Sequence, residues 1–244
     1  MYQKEVAIEI PLTRESNTDS REPQLLNPRS RSESLQRAMN ILIASIALVC
    51  VSPIMLLFAA LVKLTSPGPI FYSQARVGLD RRRLRADTTM YDRRTRNVGG
   101  RPFMIYKFRT MRVNAEGATG AVWATRTDSR VTSVGGVMRK YRIDELPQLL
   151  NVIRGEMNIV GPRPERPSIF SRLCDDIEEY PLRQQAKPGI TGWAQVNHNY
   201  DTSVDDVRKK VRYDLEYLQR QGVAEDLLIM AKTLPVMIFN KGGW

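Results

Sequence analysis

Two adjacent carboxylates, Asp144 and Glu145, stand among basic residues in the segment 139–148 (RKYRIDELPQ). Arginine binds phosphate through paired hydrogen bonds, and a carboxylate can hold Mg²⁺ or attack phosphorus once nearby charge is neutralised. Pro147 fits only the first turn of a helix, so we expect Asp144 near a helix start, where backbone donors favour anions. The segment indicates phosphate chemistry, although a plain capping aspartate would also explain it.

Two further basic segments strengthen the phosphate interpretation. One is 107–112 (KFRTMR), which includes Lys107 and Arg109, and the other is 161–164 (GPRP), which includes Pro162 and Arg163. Three basic regions around one acidic pair predict phosphoryl transfer. Neither a P-loop nor a G-x-G-x-x-G run is present, so the common nucleotide-binding folds are not indicated.

Composition restricts the partners and the cofactors. Lys and Arg number 37 against 26 Asp and Glu, a net charge of +11, which favours nucleic acid, anionic lipid or phosphorylated substrates. Much of the excess lies in residues 76–101 and 107–112, as expected for a local phosphate-binding surface. Cys50 and Cys174 lie in unlike surroundings, which argues against a disulfide, and the single histidine, His198, argues against zinc.

One long apolar segment must anchor these residues. Residues 38–62 carry no charge, lie between Arg37 and Lys63, and as a helix are long enough for a bilayer core of roughly 30 Å. The segment starts too late for a signal peptide. Ser52 and Pro53 near its centre predict a kink or break, with the Ser52 hydroxyl bonding a freed carbonyl. These residues leave open whether the helix spans the membrane or re-enters the same leaflet.

The whole chain is predicted to consist of a flexible polar tail (residues 1–34), the membrane helix (35–65) and one catalytic domain (66–244). Residues 70–77 and 103–108 alternate in character and are expected to pair as a hairpin. The strongly basic stretch at about 80–100 between them is predicted to be an exposed loop that is either simply solvated or bound to anionic headgroups.

Helical periodicity continues through the second half of the chain. A helix is expected after Asp144 and should end at Gly155. The segments 167–185 and 204–219 mix apolar and charged residues at helical spacing, and 227–239 is largely apolar. These three segments either lie on a membrane surface or cover a soluble core. Residues 188–193 (PGITGW) predict a tight loop that could hold a base or a sugar, although such a loop is more often just a turn.

From Arg37 to the C-terminus the chain resembles the bacterial sugar transferases, monotopic polyprenyl-phosphate sugar-1-phosphate transferases. The ordered blocks that carry the resemblance are Ser52-Pro53, Gln74 with residues 76–78 (RVG), and the segments 105–111 (IYKFRTM), 128–132 (DSRVT), 144–152 (DELPQLLNV), 155–157 (GEM), 161–164 (GPRP) and 187–197 (KPGITGWAQVN).

The resemblance implies an α+β fold, mostly α, with a re-entrant helix broken at Ser52-Pro53, a short β-hairpin and amphipathic helices on the membrane surface. The catalytic domain would lie on the cytoplasmic face of the bacterial inner membrane. Asp144 would attack a UDP-sugar, release UMP and form an aspartyl-phosphosugar intermediate, from which polyprenyl (undecaprenyl) phosphate takes the sugar phosphate. This is the first membrane step of exopolysaccharide, O-antigen or glycoconjugate synthesis.

The same resemblance assigns roles to individual residues. Glu145 completes the catalytic pair, Arg139 and Arg163 contact phosphate, and Mg²⁺ binds at Asp144. Further expected contacts with the pair or the substrate are those of Lys107, Arg109, Pro162 and Lys187. Anionic lipids are expected partners, whereas the sugar, the polyprenol length and the oligomeric state, including a homodimer, stay open.

The sequence departs from the family pattern at Gln36, Asn40, Glu156 and His198, none of which is the proposed nucleophile. At Asn40, where an acid is common, an amide hydrogen bond is expected to replace an acid-dependent contact. The alternative function is a membrane-anchored basic module that binds nucleic acid. Because no aromatic stacking positions interleave with the arginines, nucleic acid is not expected as a partner. A non-catalytic scaffold would require a damaged acidic pair.

Overall fold

The computed structural model describes residues 33–80, 99–113, 115, 128–198 and 203–238. Nearly all of the predicted tail and most of the predicted basic loop lie outside these ranges. The described residues form the helices and strands α1 (Glu33–Thr65), β1 (Phe71–Val77), β2 (Pro102–Phe108), α2 (Ser133–Lys140), α3 (Gln148–Arg154), β3 (Asn158–Val160), α4 (Pro167–Asp176), β4 (Gly189–Thr191), α5 (Trp193–Asn197), α6 (Val204–Arg220) and α7 (Val223–Ile238).

Helix α1 continues through Pro53, so a break is not found there, whereas the other predicted outcome, a kink, stays a prediction. A proline at position 53 lacks the N–H that would bond to the carbonyl of Val49. The Ser52 hydroxyl donates to that carbonyl at 2.8 Å and so replaces the missing donor. The predicted role of Ser52 is therefore confirmed, and it explains why the helix persists across the proline.

Helix α1 is two-faced. Its outward face carries Leu35, Leu42, Val49 and Leu56 at seven-residue spacing, each between 58% and 74% exposed. It is the one helix of the described chain that is long and apolar enough to cross a membrane, with a mean hydropathy of 2.7. The opposite face, which includes Asn40 and Ala44, is buried against the rest of the protein.

Both ends of α1 contact the same globular part. Near its start, the Arg37 guanidinium donates to the carbonyls of Val152 and Ile153 at the end of α3. Just beyond its end, the carbonyls of Ser66 and Pro67 accept hydrogen bonds from Arg109. The helix is therefore packed along the domain from one end to the other.

Polar side chains reinforce this packing at the start of α1. The Oδ1 atom of Asn40 accepts from the backbone N–H of Ile159 at 2.7 Å, which is an amide hydrogen bond of the expected kind. Gln36 donates to the buried Asp226 at 2.7 Å, and Asp226 in turn accepts from the Tyr217 hydroxyl at 2.7 Å. These bonds join α1 to α6, α7 and β3.

Strands β1 and β2 form the predicted antiparallel hairpin, with Gln74 opposite Ile105 and Tyr72 opposite Lys107. Two backbone hydrogen bonds continue the pairing just beyond Val77 and Pro102. Gly78 N–H donates to the Arg101 carbonyl, and Arg101 N–H donates to the Leu79 carbonyl. A Cβ atom at residue 100 would lie 2.1 Å from the Gly78 carbonyl oxygen, so this close approach of the two backbones requires a glycine at position 100.

A 3₁₀ turn, Ile143–Glu145, precedes α3, and Pro147 rather than Asp144 is the N-cap residue of α3. Helix α3 therefore begins later than predicted. Arg142 adopts the left-handed conformation (φ 55°), and the residues after it form the separate 3₁₀ turn. Gly155, with φ 82°, ends α3 as predicted. The fully buried Asn151 ties α3 to β2, since it accepts from Tyr106 N–H and donates to the Met104 carbonyl.

Strands β3 and β4 form a parallel pair that the sequence did not predict, because each has only three residues. The segment 188–193 was interpreted as a tight loop, yet residues 189–191 form β4. The strands approach closely at glycines: a Cβ at Gly161 would lie 2.3 Å from the Lys187 carbonyl oxygen. This pair fixes the start of the segment 161–164.

Helices α6 and α7 match the predicted segments, whereas the predicted helix over 167–185 is divided into α4 and a 3₁₀ segment, Tyr180–Gln185. The division allows Phe170, Ile177 and Tyr180 to enter one core with Val207 and Val211 of α6. Whether any of these helices lies on a membrane surface stays a prediction.

A fully buried ion pair contacts the backbone of the segment 161–164. Arg183 and Asp214 are 2.6 Å apart, with side-chain exposures of 0% and 2%. Arg183 also donates to the Tyr180 hydroxyl at 2.7 Å and to the Arg163 carbonyl at 3.1 Å. The pair therefore connects α6 with the backbone that carries Arg163.

Replacing Arg183 by Met should destabilise the protein by about 3–5 kcal/mol, because it removes one partner of a fully buried ion pair. Denaturant unfolding in detergent measures the change. The matched control is the double variant Arg183→Met/Asp214→Leu, which removes both charges and should recover most of the lost stability. A double variant as unstable as the single one would contradict this account.

Candidate active site

Four segments bring the predicted site residues together. Lys107 comes from β2, Arg139 from the last turn of α2, Asp144 and Glu145 from the 3₁₀ turn, and Arg163 from the segment after β3. Electrostatic interactions of Asp144 with Lys107, Arg139 and Arg163 show that these side chains share one site. The three basic segments recognised in the sequence therefore converge on the acidic pair.

Glu145 is the charged centre of this arrangement. Its Oε1 atom accepts from Lys107 Nζ at 2.6 Å and from the Arg163 guanidinium at 2.6 Å, and Arg142 lies 3.7 Å from Oε2. Its side chain is 8% exposed. Although burial raises the pKa of Glu145, Arg163 and Lys107 together hold it well below its usual range, so Glu145 is ionised at neutral pH.

Asp144 has the opposite environment. In the described part of the chain its partly buried carboxylate has neither a hydrogen bond nor an ion pair within 4 Å. Burial, followed by the negative charge of Glu145, raises the pKa of Asp144 to about 6, against the opposing effect of Lys107, Arg139 and Arg163. Of the two adjacent carboxylates, one is held by cations and the other is left available to react.

Arg139 is oriented by Thr110 rather than by a carboxylate. Its Nε donates to the Thr110 hydroxyl at 2.9 Å, and the Thr110 carbonyl accepts from Thr132 N–H at 3.0 Å. Gly135 packs directly on Thr110, since a Cβ there would lie 2.1 Å from the Thr110 carbonyl oxygen. This contact holds α2 at a fixed distance from β2 and so positions Arg139 near Asp144.

The segment carrying Arg163 is fixed from the side of the hairpin as well. Arg76 donates to the Pro164 carbonyl at 3.0 Å, and Val77 N–H donates to the Glu165 carbonyl at 2.9 Å. Glu165 also interacts with Arg76 at 3.7 Å and with Lys210 at 3.3 Å. Sequence reasoning assigned Arg76 only to a motif, because its partners lie 88 and 89 positions away.

The other predicted residues occupy different positions. Arg109 is 7% exposed and bonds the carbonyls that follow α1, so the structure places it in the join between α1 and β2. Pro162 is buried, and its carbonyl accepts from Gly189 N–H. Lys187 lies two residues before the first residue of β4, and the ring centroids of His198 and Tyr213 are 6.5 Å apart. Substrate contact by Arg109, Pro162 and Lys187 stays a prediction.

A Mg²⁺ ion at this site would require oxygen ligands. Among the described residues, no group of three or more acidic, histidine or cysteine side chains is placed so that it could hold a metal ion. Mg²⁺ commonly binds through one or two carboxylates together with substrate phosphates, and it retains several waters. The carboxylate of Asp144, which no cation holds, fits this mode, whereas the oxygens of Glu145 are occupied by Lys107 and Arg163.

Comparison with known proteins now adds to this geometry. The family model described as bacterial sugar transferase matches residues 31–240. The chain belongs to this family. The match covers α1, the hairpin and all the residues of the site, so the resemblance drawn from the motifs is confirmed.

Three relatives illustrate the family. UDP-N-acetylgalactosamine-undecaprenyl-phosphate N-acetylgalactosaminephosphotransferase of Aeromonas hydrophila is 42% identical over 85% of this chain, which spans 44% of that relative. UDP-glucose:undecaprenyl-phosphate glucose-1-phosphate transferase of Caulobacter vibrioides is 37% identical over 86% of the chain and 72% of the relative. Exopolysaccharide production protein ExoY of Sinorhizobium fredii is 36% identical over 86% of the chain and 88% of the relative.

The chain therefore spans less than half of the length of the Aeromonas relative and most of the other two.

The raised pKa of Asp144 predicts a pH-dependent cost of folding. Because this pKa is higher in the folded protein than in the unfolded chain, the contribution of Asp144 to stability is fully present below about pH 4 and is lost as pH rises through about 6. Asp144→Asn should thus raise the free energy of unfolding at pH 8 by on the order of 2 kcal/mol. The increase at pH 4 should be smaller. Thermal unfolding at both pH values measures the difference.

Glu145→Gln is the matched control, because the pKa of Glu145 is shifted in the opposite direction. It should destabilise the protein at pH 8. An Asp144→Asn effect that does not vary between pH 4 and pH 8 would contradict the assigned pKa.

Proposed function

We propose that this protein transfers a sugar-1-phosphate from a UDP-sugar to polyprenyl phosphate, releases UMP, and does so through a covalent intermediate on Asp144. The observation that carries the proposal is the division of charge within the acidic pair. Glu145 is held by Lys107 and Arg163, whereas Asp144 lies among the same cations with no bond to any of them. An available carboxylate in a cationic site suits nucleophilic attack on an anionic diphosphate.

In the first step, an Asp144 carboxylate oxygen attacks the phosphorus that bears the sugar. A new O–P bond forms, the bond from this phosphorus to the bridging oxygen breaks, and UMP leaves with the bonding electrons. Lys107, Arg139 and Arg163 lie where they would neutralise the phosphate oxygens. Mg²⁺, held by Asp144 and the diphosphate, would supply further neutralisation of charge when bound.

In the second step, a phosphate oxygen of polyprenyl phosphate attacks the same phosphorus. The Asp144 O–P bond breaks, which restores the carboxylate and yields polyprenyl diphosphate sugar. Glu145 keeps Lys107 and Arg163 in place throughout, because its ionised carboxylate binds both at 2.6 Å. The relatives' names specify N-acetylgalactosamine in one case and glucose in another, so the donor sugar requires a direct test.

Asp144→Asn should lower the release of UMP from a UDP-sugar panel, with polyprenyl phosphate and Mg²⁺, by more than about 10³-fold, because the variant lacks the nucleophile. Thr110→Ser is the matched control that keeps a hydroxyl for Arg139 and should retain most activity. Incubation with the donor alone should add the mass of a sugar phosphate to the Asp144 peptide. Full turnover by Asp144→Asn would rule out the mechanism.

We further propose that α1 enters and leaves the membrane on the cytoplasmic side of the inner membrane, and that anionic headgroups contact its basic flanks. The contacts of Arg37 and Arg109 support this, because they hold both ends of the helix against one domain. A spanning helix would place one end beyond the bilayer and break one of these sets of contacts. The exposed face through Leu42, Val49 and Leu56 would then face the acyl chains.

Single cysteines at Ser34 and Pro69, in a Cys50→Ser/Cys174→Ser background, test the topology. Both positions are exposed at the two ends of α1. A membrane-impermeant maleimide should label both in inside-out vesicles and neither in intact spheroplasts. Labelling of the two positions from opposite sides would show that the helix spans the membrane.

A further inference from the structure

A small cavity lies against Glu145, between the hairpin, α3 and the segment 161–164. Its lining includes Arg76, Lys107, Glu145, Gln148 and Arg163. Two of these residues, Arg76 and Gln148, have no role in the mechanism above. They contribute one strand residue and the first residue of α3 to the same wall.

Both residues carry an N–H group that has no acceptor in the part of the chain that the structure describes. The side chain of Gln148 is almost fully buried, as the residue is 2% exposed, and its Nε2 has no hydrogen-bond partner. The Nε of Arg76 is likewise buried and unpaired. Buried donors are nearly always satisfied, because an unmade hydrogen bond in the interior is costly. Two unpaired donors at one cavity indicate that a ligand supplies the acceptor.

The neighbouring side chains do not supply that acceptor. Lys107 and Arg163 can only donate hydrogen bonds, and both already use Oε1 of Glu145. The other nitrogens of Arg76 are fixed by the Pro164 carbonyl at 3.0 Å and by Gln74 Oε1 at 2.9 Å. Arg76 is therefore held rigidly while its Nε stays open.

Charge indicates the class of ligand. The cavity brings three cationic side chains, Arg76, Lys107 and Arg163, against the single carboxylate of Glu145. Glu165 offsets Arg76 only in part, since it is 3.7 Å away and is shared with Lys210. An excess of positive charge combined with unpaired N–H donors suits an anionic oxygen, and phosphate oxygens bind such sites strongly.

We propose that Gln148 and Arg76 bind a phosphate oxygen of a substrate in this cavity, which makes both of them substrate-binding residues. The inference rests on the proposed function for the identity of the substrates. Two sources share this chemistry: the phosphate that leaves as UMP and the headgroup of polyprenyl phosphate. Glu145 forms part of the cavity wall, so the bound oxygen would lie within the cationic site that also contains Asp144.

Calorimetric binding of inorganic phosphate, UMP and a short-chain polyprenyl phosphate in detergent tests this proposal on the full chain. Gln148→Met keeps the side-chain length but removes the donor, and it should weaken binding of at least one probe by about 10- to 100-fold. Gln148→Glu should weaken it further, because a carboxylate in the cavity repels the anion. Arg76→Lys, which keeps the charge but removes Nε, provides a second variant if Gln148→Met does not fold.

The matched control is Gln184→Met, since Gln184 is also buried, at 4% exposed, but lies in the 3₁₀ segment Tyr180–Gln185 outside the cavity. It should leave all three affinities unchanged. A loss confined to UMP would assign the cavity to the nucleotide phosphate, and a loss confined to polyprenyl phosphate would assign it to the lipid headgroup.

Unchanged affinities in folded Gln148→Met and Arg76→Lys would overturn the proposal. Equal or tighter binding by Gln148→Glu would also overturn it, because it would indicate that the cavity holds a water molecule or an internal pair with Arg76. These measurements need no turnover. A protein that binds the probes but releases no UMP would therefore refute the transfer reaction and not the binding site.

Discussion

The carboxylate of Glu145 joins three segments that are distant in the sequence. It accepts hydrogen bonds from Lys107 of β2 and from Arg163 after β3, and it belongs to the 3₁₀ turn that carries Asp144. In the proposed reaction, each cation that it binds would also bind an incoming phosphate. Glu145 therefore organises the site before substrate arrives and balances part of its positive charge. Without that carboxylate, Lys107 and Arg163 would repel each other at the same point.

This interaction also explains why two neighbouring acids can behave differently. Glu145 is stabilised in its ionised form by direct contact with cations, whereas Asp144 interacts with the same cations only at longer range. Burial and the charge of Glu145 then raise the pKa of Asp144 to about 6. A carboxylate that is ionised at neutral pH but poorly stabilised is suited to form a bond to phosphorus. The division of roles follows from position and not from residue type.

The apolar helix is part of the scaffold that holds this site. Ala44 of α1 packs with Ile105 and Val152, and Val62 packs with Phe108 of β2. Ile105 and Phe108 flank Lys107 in the sequence, so the strand that presents Lys107 is packed against α1 on both sides of it. Arg109 fixes the same strand to the turn that follows the helix. The position of α1 and the geometry of the site are thus mechanically connected.

Several features were predictable from the sequence because their causes are local. Alternating residues in 70–77 and 103–108 predicted the hairpin, Gly155 ended α3, and the Ser52 hydroxyl bonded a carbonyl freed by Pro53. The motif blocks also identified the family and the acidic pair.

Other features depended on contacts between distant segments. The parallel pair β3 and β4 is too short to leave a pattern, and the 167–185 segment divides because Ile177 and Tyr180 must reach a common core. The structure also shows that Arg109 joins the end of α1 to β2, a contact between segments more than 40 residues apart that no local pattern indicates.

The sequence by itself determined that a cationic surface, an apolar helix and an adjacent acidic pair occur in one chain, since residue types and spacing carry that information. Only the tertiary structure decided which carboxylate is held and which is available, and that Gln148 and Arg76 leave unpaired donors at one cavity. The physical reason is that burial, pairing and pKa depend on neighbours that folding brings together from distant parts of the chain, such as Arg76 and Pro164, which are 88 positions apart.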